Sequence, residues 1–136
     1  MKKIIIILFV AFCSCSSNSN VEKYLIDVGI NLKDNYVLVT NDSNSAIGES
    51  SKSFDLKITQ KDFDIIVAKL KHVKNYVELK ENSVPNSFSE MSNIDKVSAY
   101  KSGTKYFYNV EKANTNEKYQ VILTGKDKLS LTCQED

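Results

Sequence analysis

The chain lacks arginine and tryptophan, and its 136 residues include one histidine, one proline, four glycines and three cysteines. Its 18 lysines nearly balance its 17 acidic residues. Binding of nucleic acids draws on net positive charge and on the arginine guanidinium fork, so we expect no nucleic-acid partner. The four isolated glycines exclude a glycine-rich phosphate loop. The single histidine and scattered cysteines give no clustered ligand set, so we expect no metal site.

Groupings of catalytic residues are also missing from the sequence. His72 is the only histidine. It falls opposite the apolar stripe of its predicted helix, so we expect it in solvent, and any Ser/His/Asp nucleophile would depend on it. The acidic pair Asp62 and Asp64 is explained by the first turn of that helix. We therefore expect no cofactor and no enzymatic activity, although chemistry based on lysine or on paired carboxylates stays open.

The longest apolar run covers only nine residues, Ile4 to Phe12, and it follows Lys2 and Lys3. Nine residues of helix rise about 13 Å, whereas a bilayer core of roughly 30 Å needs about 20 residues. A short basic and then apolar start is typical of a secretory signal peptide. We expect residues 1–14 to be removed from the mature chain.

The segment FCSCSS at residues 12–17 places a small serine directly before Cys15. This segment resembles the lipobox of bacterial lipoproteins, in the looser form common in Bacteroidota, since Phe12 replaces the usual leucine. The resemblance implies that Cys15 is lipidated and that residues 15–20 form a Ser/Asn tether to the membrane. Ser16 resembles an enterobacterial sorting signal, which implies an outer-membrane lipoprotein facing the periplasm. The alternative is an ordinary cleaved signal with incidental cysteines.

Cleavage and acylation would leave Cys133 as the only free thiol, which excludes an intramolecular disulfide. Cys133 follows Leu129 and Leu131 at alternate positions of a predicted strand. This pattern favours a small, semi-buried side chain. A reactive or intermolecular thiol is the alternative.

Residues 21–136 predict a single α+β domain. Apolar residues at helical spacing predict a short helix at 21–28 and a main helix at about 60–74, which begins at an N-cap, Thr59. A polar loop is expected at Asn41–Ser53. Predicted strands lie near 36–40, 54–58, 97–101, 105–110, 118–124 and 129–133, and a further short strand at 76–79 stays open. We expect an antiparallel sheet of about five to six strands, with one main amphipathic helix packed on one face.

Two surfaces are candidates for binding a partner. Ile65 lies on the back of the main helix, although a single exposed isoleucine is also common. Tyr106 and Tyr108 share one face of the strand at 105–110, and Phe107 lies on the other. If Phe107 points to the core, the tyrosines offer contact area on the outer face. In the alternative, the tyrosines cover the core edge.

The implied lipid anchor and the small α+β body favour one functional hypothesis. It is a lipid-anchored envelope protein without enzymatic activity that binds an envelope protein, as an inhibitor, an immunity-type protein or an accessory factor. The alternatives are an envelope hydrolase and a small-ligand carrier with its pocket between helix and sheet.

Overall fold

The computed structural model describes residues 18–85 and 95–135, so the predicted signal peptide and Cys15 lie outside the described residues. Within these ranges the chain forms two helices and seven strands. They are α1 Asn18–Asp27, β1 Val37–Ala46, β2 Glu49–Lys57, α2 Gln60–Lys71, β3 Val77–Leu79, β4 Lys96–Ser102, β5 Lys105–Glu111, β6 Lys118–Thr124 and β7 Lys128–Glu135. Neither helix has the length and apolar character required to cross a bilayer.

The seven strands form one sheet in the order β1-β2-β7-β6-β5-β4-β3. Neighbouring strands are antiparallel except β3 and β4, which run parallel. The α+β class is confirmed, but the sheet has seven strands rather than five to six and is mixed rather than antiparallel. A parallel pair needs a long crossover connection, and residues 80–95 separate the end of β3 from the start of β4 along the chain.

The predicted loop at Asn41–Ser53 is wrong, because most of this segment is strand. β1 and β2 form a long hairpin closed by the two-residue turn at Ile47 and Gly48, and Gly48 supplies the positive φ of +88°. β2 pairs with β7 on its other side, so backbone hydrogen bonds stabilise this Ser-rich strand on both edges. The polar side chains of its first half, Glu49–Ser53, carry no hydrophobic alternation, so the sequence pattern predicted only the second half of β2.

The end of α1 and the start of α2 lie where their capping residues predict. After α1, Gly29 has a φ of +72°, and the amides of Gly29 and Ile30 donate to the carbonyls of Ile26 and Leu25. These two bonds form a Schellman motif. Thr59 caps α2 by accepting a hydrogen bond from the Asp62 amide at 3.2 Å. α2 ends at Lys71, three residues earlier than predicted.

The hydrophobic core lies between the two helices and one face of the sheet. We call this the inner face, and the opposite one the outer face. Tyr24 of α1 packs on Phe54 of β2, with ring centroids 5.4 Å apart. Phe63 of α2 meets Tyr106 of β5 edge-on at 6.2 Å. The other buried inner-face side chains are Leu56, Ala99, Tyr108, Val110, Tyr119, Val121, Leu123, Leu129, Leu131 and Cys133.

Candidate interaction face

Tyr106 and Tyr108 lie on the inner face of β5, under the helices. Tyr106 packs against Phe63 of α2, and Tyr108 is only 8% exposed. Burial raises the pKa of the Tyr108 hydroxyl. The outer-face position for these tyrosines is therefore wrong, and the alternative, in which they cover the core, is correct. Side chains alternate between the two faces of a strand, so the sequence places Tyr106 and Tyr108 on one face. It does not indicate which face meets the helices.

Phe107 points to the outer face and stacks there on Tyr100 of β4. The two rings are 4.7 Å apart and tilted by only 7°. Phe107 is also paired with Ile122 of β6, and Tyr100 is paired with Val77 of β3. We call Val77, Tyr100, Phe107 and Ile122 the apolar row. Tyr100 is only 6% exposed, whereas Val77 is 40% exposed and Phe107 and Ile122 are half-buried, so the row offers apolar area to solvent through these three side chains.

A second row of outer-face side chains crosses the same strands and consists of hydrogen-bonding groups. Gln120 donates to the Asn109 side-chain oxygen at 3.1 Å, and Asn109 donates to the Ser98 hydroxyl at 3.2 Å. Farther along, the hydroxyls of Thr132 and Ser53 lie 3.4 Å apart. We call these five residues the polar row. Their mutual hydrogen bonds fix side-chain positions before any partner arrives.

The apolar row continues across β7 and β2 into an ordered carboxylate. Ser130 and Thr40 donate hydrogen bonds to the two oxygens of Asp55, the latter at 2.7 Å. These two hydrogen bonds hold the pKa of the Asp55 carboxyl below its usual range, and the bond from Ser130 contributes more than the bond from Thr40. The outer face therefore carries one fixed negative charge beside its apolar centre.

A groove of about 560 Å³ lies over the polar row on the outer face. The exposed Val84 forms part of its wall, opposite Ser98 and Gln120. The start of the crossover lies beside this face. Ser102 is an outer-face residue of β4, and its hydroxyl donates a hydrogen bond to the Lys80 carbonyl at 3.0 Å. The described part of the crossover thus borders the outer face and leaves the groove beside it.

The remaining predicted site residues lie apart from this face. Ile65 is on α2 and is 43% exposed, so it is a single apolar residue on the helical side. His72 is exposed at the end of α2, with Nδ1 2.7 Å from the Ala68 carbonyl oxygen. No group of three or more potential metal ligands occurs in the parts of the chain that the structure describes.

Cys133 is a core residue rather than a surface thiol. It lies on the inner face of β7 and is 1% exposed. Burial, more than any other influence, raises its pKa to about 11. The thiol therefore stays protonated at neutral pH, which favours the structural interpretation over a reactive cysteine.

Sequence reasoning missed the apolar row, although its signal was present. In β6 the inward positions are Tyr119, Val121 and Leu123, which leaves Ile122 as a lone apolar residue on the opposite face. Phe107 stands out in the same manner between Tyr106 and Tyr108. Only the register between strands shows that these outward residues are neighbours.

Comparisons of the chain with protein-family profiles, with curated proteins and with solved structures give no significant match.

Proposed function

We propose that the chain is a lipid-anchored envelope protein that binds a partner protein through the outer face of its sheet. The observation that carries this proposal is the apolar row flanked by the polar row on the face opposite the helices. Protein interfaces combine an apolar centre with hydrogen-bonding groups around it in this manner.

Preformed order on this face supports a binding role. The stacked rings of Tyr100 and Phe107 and the hydrogen-bonded chain of Gln120, Asn109 and Ser98 have already lost rotamer freedom. Binding then avoids part of the cost of immobilising side chains, about 0.5–1.5 kcal/mol for each rotamer-rich group. The complementary partner surface has an apolar centre with hydrogen-bond donors and acceptors beside it.

The anchor in this proposal is a lipid on Cys15, with the domain held close to the membrane. α1 begins at Asn18, so residues 18–20, which the sequence pattern places in the tether, are helical. Three Cα–Cα steps of about 3.8 Å separate Cys15 from Asn18, which limits the reach to about 11 Å. Two or more acyl chains give stable attachment at about 0.8 kcal/mol per buried methylene.

The anchor is tested by the intact mass of the protein from the membrane fraction. We expect a mature chain that begins at Cys15 and carries acyl groups, and a Cys15→Ser variant that is not acylated. An unmodified N-terminus at or beyond residue 15 would contradict the anchor.

Binding is tested by photo-crosslinking in intact cells. A photoreactive amino acid is placed at Gln120 on the outer face and, as a matched control, at Ile65 on the helical side. We expect one major protein adduct from position 120 and none from position 65. Adduct formation from position 120 is expected to fall when Ile122→Glu is introduced. Absence of an adduct at position 120, or equal adducts at both positions, would contradict the proposed face.

The outer-face groove favours a second candidate function, that of a small-ligand carrier. Ser98, Asn109 and Gln120 line the groove, so it suits a ligand with several hydrogen-bonding groups. Native mass spectrometry of the purified protein tests this function. A bound small molecule that is lost in Gln120→Trp would support the carrier, while a ligand-free mass would leave the partner-protein proposal alone.

A further inference from the structure

β1 is an edge strand of unusual length and composition. It has ten residues, Val37–Ala46, and within the described residues no strand pairs with the edge of β1 that faces away from β2. The other edge strand, β3, has only three residues. Edge strands are commonly protected by shortness, by lysine or by proline. β1 has none of these, and its protective features are limited to the Asp42 charge and a bulge between Leu38 and Thr40, whereas each of the five inner strands contains lysine.

The hairpin geometry shows which backbone groups of β1 are free. The two-residue turn makes Ala46 and Glu49 a hydrogen-bonded pair. Bonded and non-bonded pairs alternate along an antiparallel ladder, so Asn44 and Asp42 also bond to β2. The amides and carbonyls of the intervening residues, Asn41, Ser43 and Ser45, therefore point away from the sheet. A bulge between Leu38 and Thr40 interrupts this pattern before Asn41.

We propose that β1 pairs with β1 of a second copy of this chain, antiparallel and about a two-fold axis at Ser43. In this register Ser43 faces Ser43 of the copy, and Asn41 faces Ser45 at either end. The three free positions then form about six hydrogen bonds between the copies. The two sheets join into one continuous sheet.

Charge favours this register over the neighbouring one centred on Asp42. Asp42 is the only charged residue of β1. Pairing about Ser43 places the Asp42 carboxylate opposite the Asn44 amide of the copy, which supplies a hydrogen-bond donor. A shift of the two-fold axis to Asp42 would place two carboxylates directly opposite each other, and like charges at that position are destabilising.

Pairing through the β1 edge limits the proposed association to two copies. Pairing through identical strands about a two-fold axis is isologous and uses the long edge of both molecules. The opposite edge offers only the three residues of β3. The inference requires neither the lipid on Cys15 nor a partner on the outer face.

A disulfide scan tests the register directly. The protein used is the chain from residue 15 onward with Cys15→Ser, which contains all described elements and retains the buried Cys133. Residues in a hydrogen-bonded antiparallel pair have Cα atoms about 5.5 Å apart, which is within the Cα range of disulfides. Ser43→Cys is therefore expected to form a covalent dimer under mild oxidation. Ser45→Cys is the matched control, because its equivalents lie roughly 13 Å apart along the strand.

Sedimentation equilibrium provides the second measurement and needs no cysteine. The unsubstituted protein is expected to be a reversible dimer. Ser43→Pro removes an outward amide without removing a β1–β2 hydrogen bond, so we expect an unchanged circular dichroism spectrum and a dissociation constant raised on the order of tenfold or more. A protein that stays monomeric at millimolar concentration would overturn the proposal. Cross-linking through Ser45→Cys rather than Ser43→Cys would overturn it equally.

Discussion

Replacing Asp62 by alanine is expected to destabilise the domain more than any other single change of an acidic residue on α2. Asp62 is 2% exposed, although it carries a carboxylate. Its two oxygens accept hydrogen bonds from the backbone amides of Lys33 and Asp34 at 2.9 and 3.0 Å. These bonds attach the segment between α1 and β1 to the start of α2.

The magnitude follows from the two amides that lose their acceptor. A buried donor without a partner costs about 1–3 kcal/mol, and both amides are partly buried, so we expect a loss of about 2–4 kcal/mol. That is a large share of the roughly 5–15 kcal/mol that stabilises an ordinary domain. Asp62→Asn retains one accepting oxygen and is expected to fall between alanine and the unsubstituted protein.

Urea denaturation followed by circular dichroism measures this effect. With a slope of about 2 kcal/mol per molar urea, the midpoint for Asp62→Ala is expected to fall by roughly 1–2 M. Asp64→Ala is the matched control, because Asp64 is exposed and accepts only from the Gln60 side chain. The control is expected to change stability by less than about 0.5 kcal/mol. Equal midpoints for the two alanine variants would refute the reasoning.

Three further predictions concern single side chains. Because hydrogen bonds from Ser130 and Thr40 lower the pKa of Asp55 in the folded state, the unfolded state binds more protons as the pH is lowered below about 4. The unfolding free energy should therefore fall in that direction, and less steeply in Asp55→Asn. Cys133, with its pKa raised to about 11, should react with a thiol reagent at least about a hundredfold faster in denaturant than in the native protein at pH 8. Gly48→Ala should cost about 1 kcal/mol in urea denaturation, because φ is +88° there although the space is open.

The helices and the later strands were predictable because local chemistry specifies them. Thr59 accepts from the α2 amide that the capping pattern indicates, and Gly29 takes the positive φ that ends α1. Alternating residues also located β5 and β6, the latter at its observed bounds, 118–124. In each case a residue's own conformational or hydrophobic preference agrees with its final environment.

The rest depends on strand neighbours that the sequence does not reveal. Ser50–Ser53 become strand because β7 pairs with them from a distance of about eighty residues along the chain. The sequence also did not determine which face of β5 meets the helices, since Phe107 and the tyrosines on either side of it are all aromatic residues that a core can bury. The candidate surface formed by Phe107, Tyr100 and Ile122 exists only through the register of three strands.

The position of β7 has a consequence for how the chain folds. β7 is the last of the seven strands along the chain, yet it lies between β2 and β6 in the sheet. Until residues 128–135 are available, the β1–β2 hairpin and the β4–β6 meander have no hydrogen bonds to each other. Topologies closed by such distant pairings fold slowly. Before these last residues are available, the chain would therefore consist of two half-sheets without backbone hydrogen bonds between them, and the edges of β2 and β6 that β7 later covers would both be exposed.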